Sequence, residues 1–388
     1  MIRKTVVALL LVLLTSLPSI HAEDASAPVE ARVPFAPSPF VGSDGLRHLA
    51  YELHVSNFYG DTGSLELRDL SVFGDDATTP VLAMDAKDLA KVLRPVPEEH
   101  QTPSIAAGKR AVIFVWITLP PGAAVPHTLR HRIEFETEKR GGTVLDGAMV
   151  RVGNEFITTI GPPLRGGLWL AHEGPGAAQS HHWGSLVAVN GQLTIPQRYA
   201  LDLVGIDAAG HAMRSSVKDI HKSTHADWIG YGADVLAVAD GVVIGMRDGE
   251  AEHAPLAPQP EPASLTANGL FGNYVVLQIA PGVFASYAHL QRGSVMVKTG
   301  DHVHRGQVLA HLGQSGNSAA PHLHFQLSNA STFEGSEGIP YVFDRFDFLG
   351  PESEGQLFGQ GQPWQHADAQ PRRAEMPLND VVIQFPDQ

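Results

Sequence analysis

The residues best suited to chemistry in this chain lie in the segment Pro321-His322-Leu323-His324-Phe325. If this segment is a strand, His322 and His324 point to one face, and Leu323 and Phe325 point to the other. Neutral imidazole is the commonest metal ligand in proteins and suits zinc. A pair of alternating histidines is weak evidence by itself, because the chain contains 20 histidines. The neighbouring sequence must decide whether the pair binds a metal.

Composition narrows the kinds of site and partner. The chain has 388 residues, of which 43% are hydrophobic and 18% charged, which predicts a globular protein of two or three domains. The formal net charge of -14 argues against nucleic acid as a partner, since binding phosphates requires a basic surface. There are no cysteines, so any metal site must use histidine and carboxylate ligands.

The first residues have the pattern of a secretory signal. Arg3 and Lys4 precede an apolar stretch at 6–14, and the small Ala22 precedes acidic residues. This pattern predicts a signal peptide at 1–22, too short to span a membrane, that is removed from the mature protein. We therefore expect a secreted protein without a transmembrane anchor, with the periplasm as its compartment.

Residues 23–35 are predicted to be a linker, and residues 36–152 a β-sandwich of immunoglobulin-like type. Apolar and polar residues alternate from Leu49 to Ser56, as in a half-buried strand. Further strands are expected at 65–73, 111–119 and 132–137, and one helix at 84–93. No chemistry is evident in this region, and its histidines are expected to be solvated (His48, His54, His127 and His131). The predicted sandwich at 36–152 is a candidate module for binding a protein partner.

A second β-rich domain is predicted at 181–348, after a Gly/Pro-rich connector at 153–180. Residues 248–267, dense in Pro, Ala and Glu, are expected to form an insertion. The remaining residues, 349–388, are rich in Gln, Gly, Pro and Asp and are expected to form an extended tail that packs poorly against the domain.

The second domain contains four short sequence motifs. In chain order they are Gly232-Ala-Asp-Val235, Ser286-Tyr-Ala-His289-Leu290, Val297-Lys-Thr-Gly-Asp-His-Val-His-Arg-Gly-Gln307, and Gly316-Asn-Ser-Ala-Ala-Pro-His322-Leu-His324-Phe325. In this order they resemble the M23 family of zinc metallopeptidases, the lysostaphin/LytM-type peptidoglycan endopeptidases. The resemblance covers about 180–330. It implies a small antiparallel β-sheet of barrel-sandwich type that holds one Zn²⁺, and cleavage of peptide bonds in cell-wall cross-links.

The resemblance also implies roles for three histidines. His324 would be a zinc ligand, and His322 and His289 would be catalytic histidines that lie beside the metal without binding it. Zinc coordination is consistent with this division into ligand and non-ligand histidines, since three protein ligands leave one coordination position open for water or substrate. Nearby imidazoles can then accept the proton of the water or stabilise the oxyanion.

The first metal motif departs from the family pattern. Members usually carry a His-x-x-x-Asp shortly before the phrase found here at 232–235, and this chain has none there. One interpretation takes Asp202 as the ligand, because its neighbours are apolar and an unpaired carboxylate among them would be costly. The missing histidine is then His181 or His182, with His181 preferred. The other interpretation takes Asp227, with His225 or His221; because this segment is polar and resembles a loop, Asp202 is favoured.

The sequence therefore favours a secreted zinc endopeptidase that acts on peptidoglycan peptides. The alternative is a non-catalytic regulator that binds and activates another cell-wall hydrolase, as relatives that have lost ligands do. A lipoyl-like carrier is a third interpretation, but no lysine occupies a hairpin tip. Arg198 would repel a metal, so we expect it to point away from the site or to pair with a carboxylate.

Overall fold

The computed structural model describes residues 26–95, 102–139, 141–153, 157–259, 266–360 and 362–387. The predicted signal peptide at 1–22 lies outside these ranges. The fold is all-β, as predicted, with mostly antiparallel strand pairs and few, short helices. In the described ranges, no helix has both the length and the apolar character that crossing a membrane requires.

Two antiparallel sheets make up the first domain. Its elements in chain order are β1 (Glu30–Arg32), β2 (Phe40–Val41), β3 (Arg47–Asn57), β4 (Leu65–Gly74), β5 (Leu82–Asp85), α1 (Ala86–Val92), β6 (Leu93–Arg94), β7 (Ser104–Ile105), β8 (Lys109–Leu119), β9 (Thr128–Thr137) and β10 (Gly141–Arg151). One sheet has the order β1-β3-β8-β6 with β2 beside β3, and the other has β10-β9-β4-β5 with β7 beside β4. Alternate residues of both sheets meet in one core that contains Leu53, Leu70, Ile113 and Ile133. The domain is a sandwich, and its immunoglobulin-like type stays a prediction.

Three histidines of the first domain that were expected to be solvated are buried, two of them on β3, which is covered on both faces. Of the histidines expected to be solvated, only His127 is exposed, while His48, His54 and His131 are buried. His131 lies inside the sandwich, where its Nε2 is 2.7 Å from the Tyr51 hydroxyl. On β3 itself, Glu52 meets Arg198 and Trp183 of the second domain instead of solvent, and His48 is covered by Phe40 and Trp116.

A long sheet organises the second domain. Its elements in chain order are β11 (Thr158–Ile160), β12 (Leu168–His172), β13 (Val187–Val189), β14 (Gln192–Thr194), β15 (Leu201–Ile206), β16 (Asp234–Leu236), β17 (Gly241–Arg247), α2 (Ala267–Phe271), β18 (Tyr274–Ala280), β19 (Val283–Ala288), β20 (His302–Val303), β21 (Val308–His311), β22 (Leu323–Ser328), β23 (Tyr341–Phe343), β24 (Phe346–Pro351), α3 (Glu354–Leu357), β25 (Gln370–Arg372) and β26 (Val381–Gln384), with short 3₁₀ helices at Ile220–Lys222 and His225–Asp227. The strand order of the long sheet is β20-β17-β18-β19-β22-β15-β12-β26-β24-β25.

The ends of the second domain differ from the prediction. The expected tail at 349–388 contributes β25, β26 and part of β24 to the long sheet, and the expected connector contributes β12. Val382 and Ile383 are fully buried. The prediction of a poorly packed tail is wrong, because a short run of β-branched residues at 381–383 outweighs the polar composition before it. Part of the expected linker is likewise ordered, since β1 pairs with β3. The other domain boundaries stay predictions.

The two domains share a continuous core. Phe114 of the first domain packs edge-on against Trp183 of the second, with ring centroids 5.5 Å apart, and Phe40 packs similarly against Tyr199 at 5.5 Å. Both contacts belong to the core cluster that also contains Leu201 of the long sheet. The sandwich therefore packs directly behind the segment 183–201.

Candidate metal centre

Strand register brings two candidate residues together, and two more lie beside them. In the long sheet, Asp202 of β15 pairs directly with His324 of β22, and His324 pairs with Ala288 of β19. His289 directly follows Ala288, and His322 lies two residues before His324, just ahead of β22. The register thus brings Asp202 and His324 side by side, and the rings of His322 and His289 lie next to them.

The polar atoms of these residues converge on the Asp202 carboxylate. Its Oδ1 lies 3.0 Å from His324 Nδ1, 3.3 Å from His322 Nε2 and 3.4 Å from His182 Nε2. One ligand atom each of His182, Asp202 and His324 lies within 4.8 Å of the other two. Among the described residues, this is the one such group with metal-binding geometry. The His289 ring lies 4.7 Å from the His322 ring.

Each of the four histidines has one ring nitrogen held by an oxygen that can only accept a hydrogen bond. The contacts are His182 Nδ1 to Glu173 O at 2.9 Å, His289 Nδ1 to Ser315 O at 2.8 Å, His322 Nδ1 to Ala320 O at 2.8 Å, and His324 Nε2 to Gln326 Oε1 at 2.9 Å. The held nitrogen must carry the proton, so in the neutral ring the other nitrogen keeps its lone pair. For His182, His322 and His324 that other nitrogen is the one nearest Asp202. Metal-binding histidines are oriented in the same way.

Burial and charge set the protonation states. Burial alone would raise the pKa of Asp202, but the imidazoles of His322 and His182 hold it well below its usual range. Burial, helped by the neighbouring imidazoles, lowers the pKa of His289 well below its usual range. Burial also lowers the pKa of His324, whereas the Asp202 carboxylate outweighs burial at His322 and raises its pKa. The cluster therefore offers an ionised carboxylate beside the neutral ring of His324, which is the kind of donor set that zinc binds.

Two residues at the site have left-handed backbone. Glu173 has a φ of 54° and His289 a φ of 61°, both uncommon for residues other than glycine. The conformation of Glu173 presents its carbonyl to His182, and the His289 amide donates to Phe271 O at 2.9 Å. Strained backbone of this kind is typical of functional sites.

His181 does not belong to the cluster. Its side chain is 92% exposed and its Nδ1 lies 3.4 Å from Glu173 Oε1, whereas His182 is 5% exposed and faces Asp202. The preference for His181 over His182 is thus corrected. The reason is local, because the backbone of this non-strand segment turns one of two adjacent side chains inward, and sequence periodicity does not tell which.

Asp227 and its companions lie outside the cluster. Asp227 caps a short 3₁₀ helix, with its Oδ2 accepting from the Thr224 amide at 2.8 Å. His225 stacks on Tyr231 at 5.0 Å, and His221 is exposed. Of the two competing carboxylates, the structure brings Asp202 and not Asp227 to the histidines.

The sequence analysis missed His172 and Gln326. His172 of β12 pairs with Asp202 on the side opposite to His324, and its Nδ1 is 2.7 Å from Asp380 Oδ1. Although burial opposes it, the hydrogen bond to Asp380 raises the pKa of His172 to about 9. Extending the alternation of the histidine pair by two residues would have found Gln326. Nothing in the sequence near His172 indicates its place.

Arg198 pairs with carboxylates, as expected. Its Nη2 lies 2.6 Å from Glu52 Oε2 and its Nη1 lies 2.6 Å from Glu337 Oε2. All three side chains are buried. The positive charge is therefore neutralised by Glu52 and Glu337.

Comparisons with known proteins bear on this site. Residues 225–334 match the model of peptidase family M23, a range that contains His289, His322 and His324 and begins after His182 and Asp202. The chain is similar in structure to the catalytic domain of lysostaphin from Staphylococcus simulans, with 20% identity, 45% of this chain and 88% of that chain covered, and a TM-score of 0.24.

Two longer structures are also similar to this chain. One is a putative peptidase M23 from Pseudomonas aeruginosa, with 17% identity, 72% and 92% of the two chains covered, and a TM-score of 0.23. The other is a zinc-containing peptidase from Vibrio cholerae, with 17% identity, 75% and 81% covered, and a TM-score of 0.21. No curated relative matches the chain. The second domain contains a peptidase family M23 domain, at residues 225–334.

Proposed function

We propose that this M23 peptidase is a zinc-dependent endopeptidase that hydrolyses peptide bonds in peptidoglycan cross-links. The observation that carries the proposal is the convergence of His182, Asp202 and His324, whose ligand atoms lie within 4.8 Å of one another. Two nitrogens and one oxygen are a donor set that zinc accepts, with a coordination position left over. The M23 match supports a peptidase, and the resemblance of the motifs to lysostaphin/LytM-type endopeptidases supports the substrate class.

In the proposed reaction the protein side chains have distinct tasks. His182, Asp202 and His324 would hold the ion, and bound zinc supplies Lewis acidity that polarises a carbonyl and lowers the pKa of water. His322 Nε2 faces the Asp202 carboxylate, and the His289 ring lies beside it. One of these imidazoles accepts a proton from the attacking water at Nε2. The other, when protonated, donates a hydrogen bond to the oxyanion.

We also propose that the protein acts outside the cytoplasm, in the periplasm. The predicted signal at 1–22 and the wall-peptide substrate support this compartment. The retention of both unligated histidines supports catalysis over a purely regulatory role, since a binding protein does not need them.

The test measures zinc and cleavage in one set of variants. Bound zinc per chain is measured by mass spectrometry in wild type, Asp202→Asn and the matched control Asp227→Asn. Peptide release from purified peptidoglycan is measured in parallel. We expect one zinc and cleavage in wild type and in the control, and loss of both in Asp202→Asn. Wild type without zinc would refute the peptidase proposal and favour the regulator. Zinc retained in Asp202→Asn would show that zinc is bound at another place in the protein.

A further inference from the structure

One carboxylate of the first domain reaches into the second. Glu52 lies on β3 and is 3% exposed, on the strand face opposite to its core neighbours Tyr51 and Leu53. A carboxylate buried at this depth is stable only with good hydrogen-bonding partners. Its partners all come from the second domain.

The Glu52 carboxylate accepts three hydrogen bonds. Arg198 donates from Nε to Oε1 at 2.9 Å and from Nη2 to Oε2 at 2.6 Å, which is a bidentate pair. Trp183 donates from Nε1 to Oε1 at 2.6 Å. Bidentate charged pairs fix orientation as well as supplying energy. Glu52 thus holds two side chains of the second domain at fixed positions.

Each of these two side chains belongs to a segment that carries metal-site residues. Trp183 directly follows His182 in the chain. Arg198 lies in the turn that precedes the Asp202 strand, close to Pro196, whose carbonyl accepts from Gln326 Nε2 at 3.2 Å.

The same turn is linked to His324 through Gln326. Gln326 Oε1 accepts a hydrogen bond from His324 Nε2 at 2.9 Å, which leaves Nδ1 for Asp202. One carboxylate of the sandwich is therefore linked to the segments of all three candidate ligands.

We propose that Glu52 is a positioning residue of the metal site, so that the sandwich domain is a structural part of the centre. This inference rests on the proposed zinc site. Removing the Glu52 charge leaves Arg198 buried with one carboxylate fewer, and both ligand segments lose their anchor. Outer partners of metal ligands commonly contribute about ten- to a hundredfold to metal affinity.

The main variant is Glu52→Gln in the full chain. Glutamine has the same shape, but its amide offers one accepting oxygen and turns an NH₂ toward the donors of Arg198 or Trp183. The matched control is Tyr51→Phe, the adjacent residue on β3, which removes a buried hydrogen bond to His131 inside the sandwich. Trp183→Phe is a second variant that removes the indole donor to Glu52 and keeps a smaller aromatic ring against Phe114.

Two readouts separate positioning from general stability. The first is the zinc dissociation constant of each folded apo-protein, from competition with a chromogenic chelator. The second is the visible spectrum of the protein saturated with Co²⁺, which reports ligand geometry. We expect Glu52→Gln to weaken zinc about tenfold or more and to change the cobalt spectrum. Trp183→Phe should shift both readouts in the same direction by less, and Tyr51→Phe should leave both unchanged.

Each outcome supports or refutes the positioning role of Glu52. If Glu52→Gln and Trp183→Phe bind zinc as wild type does, with unchanged cobalt spectra, the positioning role is refuted while the zinc site stands. If Tyr51→Phe weakens zinc as much as Glu52→Gln, the effect is general stability and the inference is also refuted. If Glu52→Gln does not fold, Trp183→Phe decides alone. Wild type that binds no zinc would overturn the proposed function and this inference together.

Discussion

The adjacent pair His181 and His182 offers the sharpest test of the site geometry, because one side chain is exposed and the other buried. His182→Gln removes the imidazole whose Nε2 lies 3.4 Å from Asp202 Oδ1, and His181→Gln removes a ring that is 92% exposed. Since loss of an outer partner alone costs about ten- to a hundredfold in metal affinity, loss of a ligand should cost more than about a hundredfold. His181→Gln should leave zinc affinity unchanged.

The expected size of the effect on thermal stability follows from linkage. At a free zinc concentration of about 100 times the wild-type dissociation constant, binding stabilises the folded state by about 2.7 kcal/mol. If the constant rises about a hundredfold, the same zinc concentration stabilises the variant by only about 0.4 kcal/mol. We therefore expect zinc to raise the Tm of wild type and His181→Gln clearly, and that of His182→Gln hardly at all.

The assay is a thermal melt of each apo-protein with and without zinc, together with the dissociation constant from chelator competition. His182→Gln also loses the hydrogen bond from Nδ1 to Glu173 O, so its apo form should be less stable by about 1 kcal/mol. Comparing each variant with its own apo form removes that contribution. A zinc-induced Tm rise that is equal in both variants, or lost only in His181→Gln, would refute the placement of His182 at the metal.

Three further predictions follow from other contacts. Gln326→Leu removes the acceptor that holds His324 Nε2, and zinc affinity should fall about ten- to a hundredfold in chelator competition; an unchanged affinity would show that Gln326 does not orient the ring. Ile383→Ala should lower the free energy of unfolding by about 2–5 kcal/mol in urea, while the exposed Arg373→Ala should not; equal stability would contradict the place of β26 in the sheet. Burial lowers the pKa of His131 to about 4, so the unfolded chain takes up its proton first as pH falls, and stability should drop by about 2.5 kcal/mol between about pH 7 and 4.5. His131→Gln should weaken that pH dependence, and an unchanged dependence would contradict the assignment.

The sequence was sufficient for the parts of the site that depend on local pattern. Alternation placed His322 and His324 on one face, and the apolar neighbours of Asp202 favoured it over Asp227, whose surroundings are polar. Burial of an ionisable group among apolar residues is a local signal, so it can be read without the fold. The choice between His181 and His182 has no such signal, because the two are adjacent in a segment without strand periodicity, and the inward ring of His182 is held by the carbonyl of Glu173, nine residues before it.

Other parts could not be predicted, because they depend on register between distant strands. His172 reaches Asp202 only because β12 and β15 pair, and its partner Asp380 lies 208 residues further along the chain. The composition at 349–388 indicated a loose tail, yet β26 lies between β12 and β24. Which strands become neighbours is decided by the packing of the whole sheet, and single-strand patterns do not contain that information.

Strand β3 shows how the same pattern can have two meanings. Alternation of apolar with polar residues predicted one packed face and one solvated face, and the packed face is as expected. On the other face, Glu52 is buried against Arg198 and Trp183. Alternation indicates only that the two faces of a strand differ in polarity. The charges of the polar face can be solvated by water or paired with groups of a second domain. Glu52, which is buried against Arg198 and Trp183, is paired with a second domain. The polar face of this strand is therefore where the sandwich and the second domain are joined.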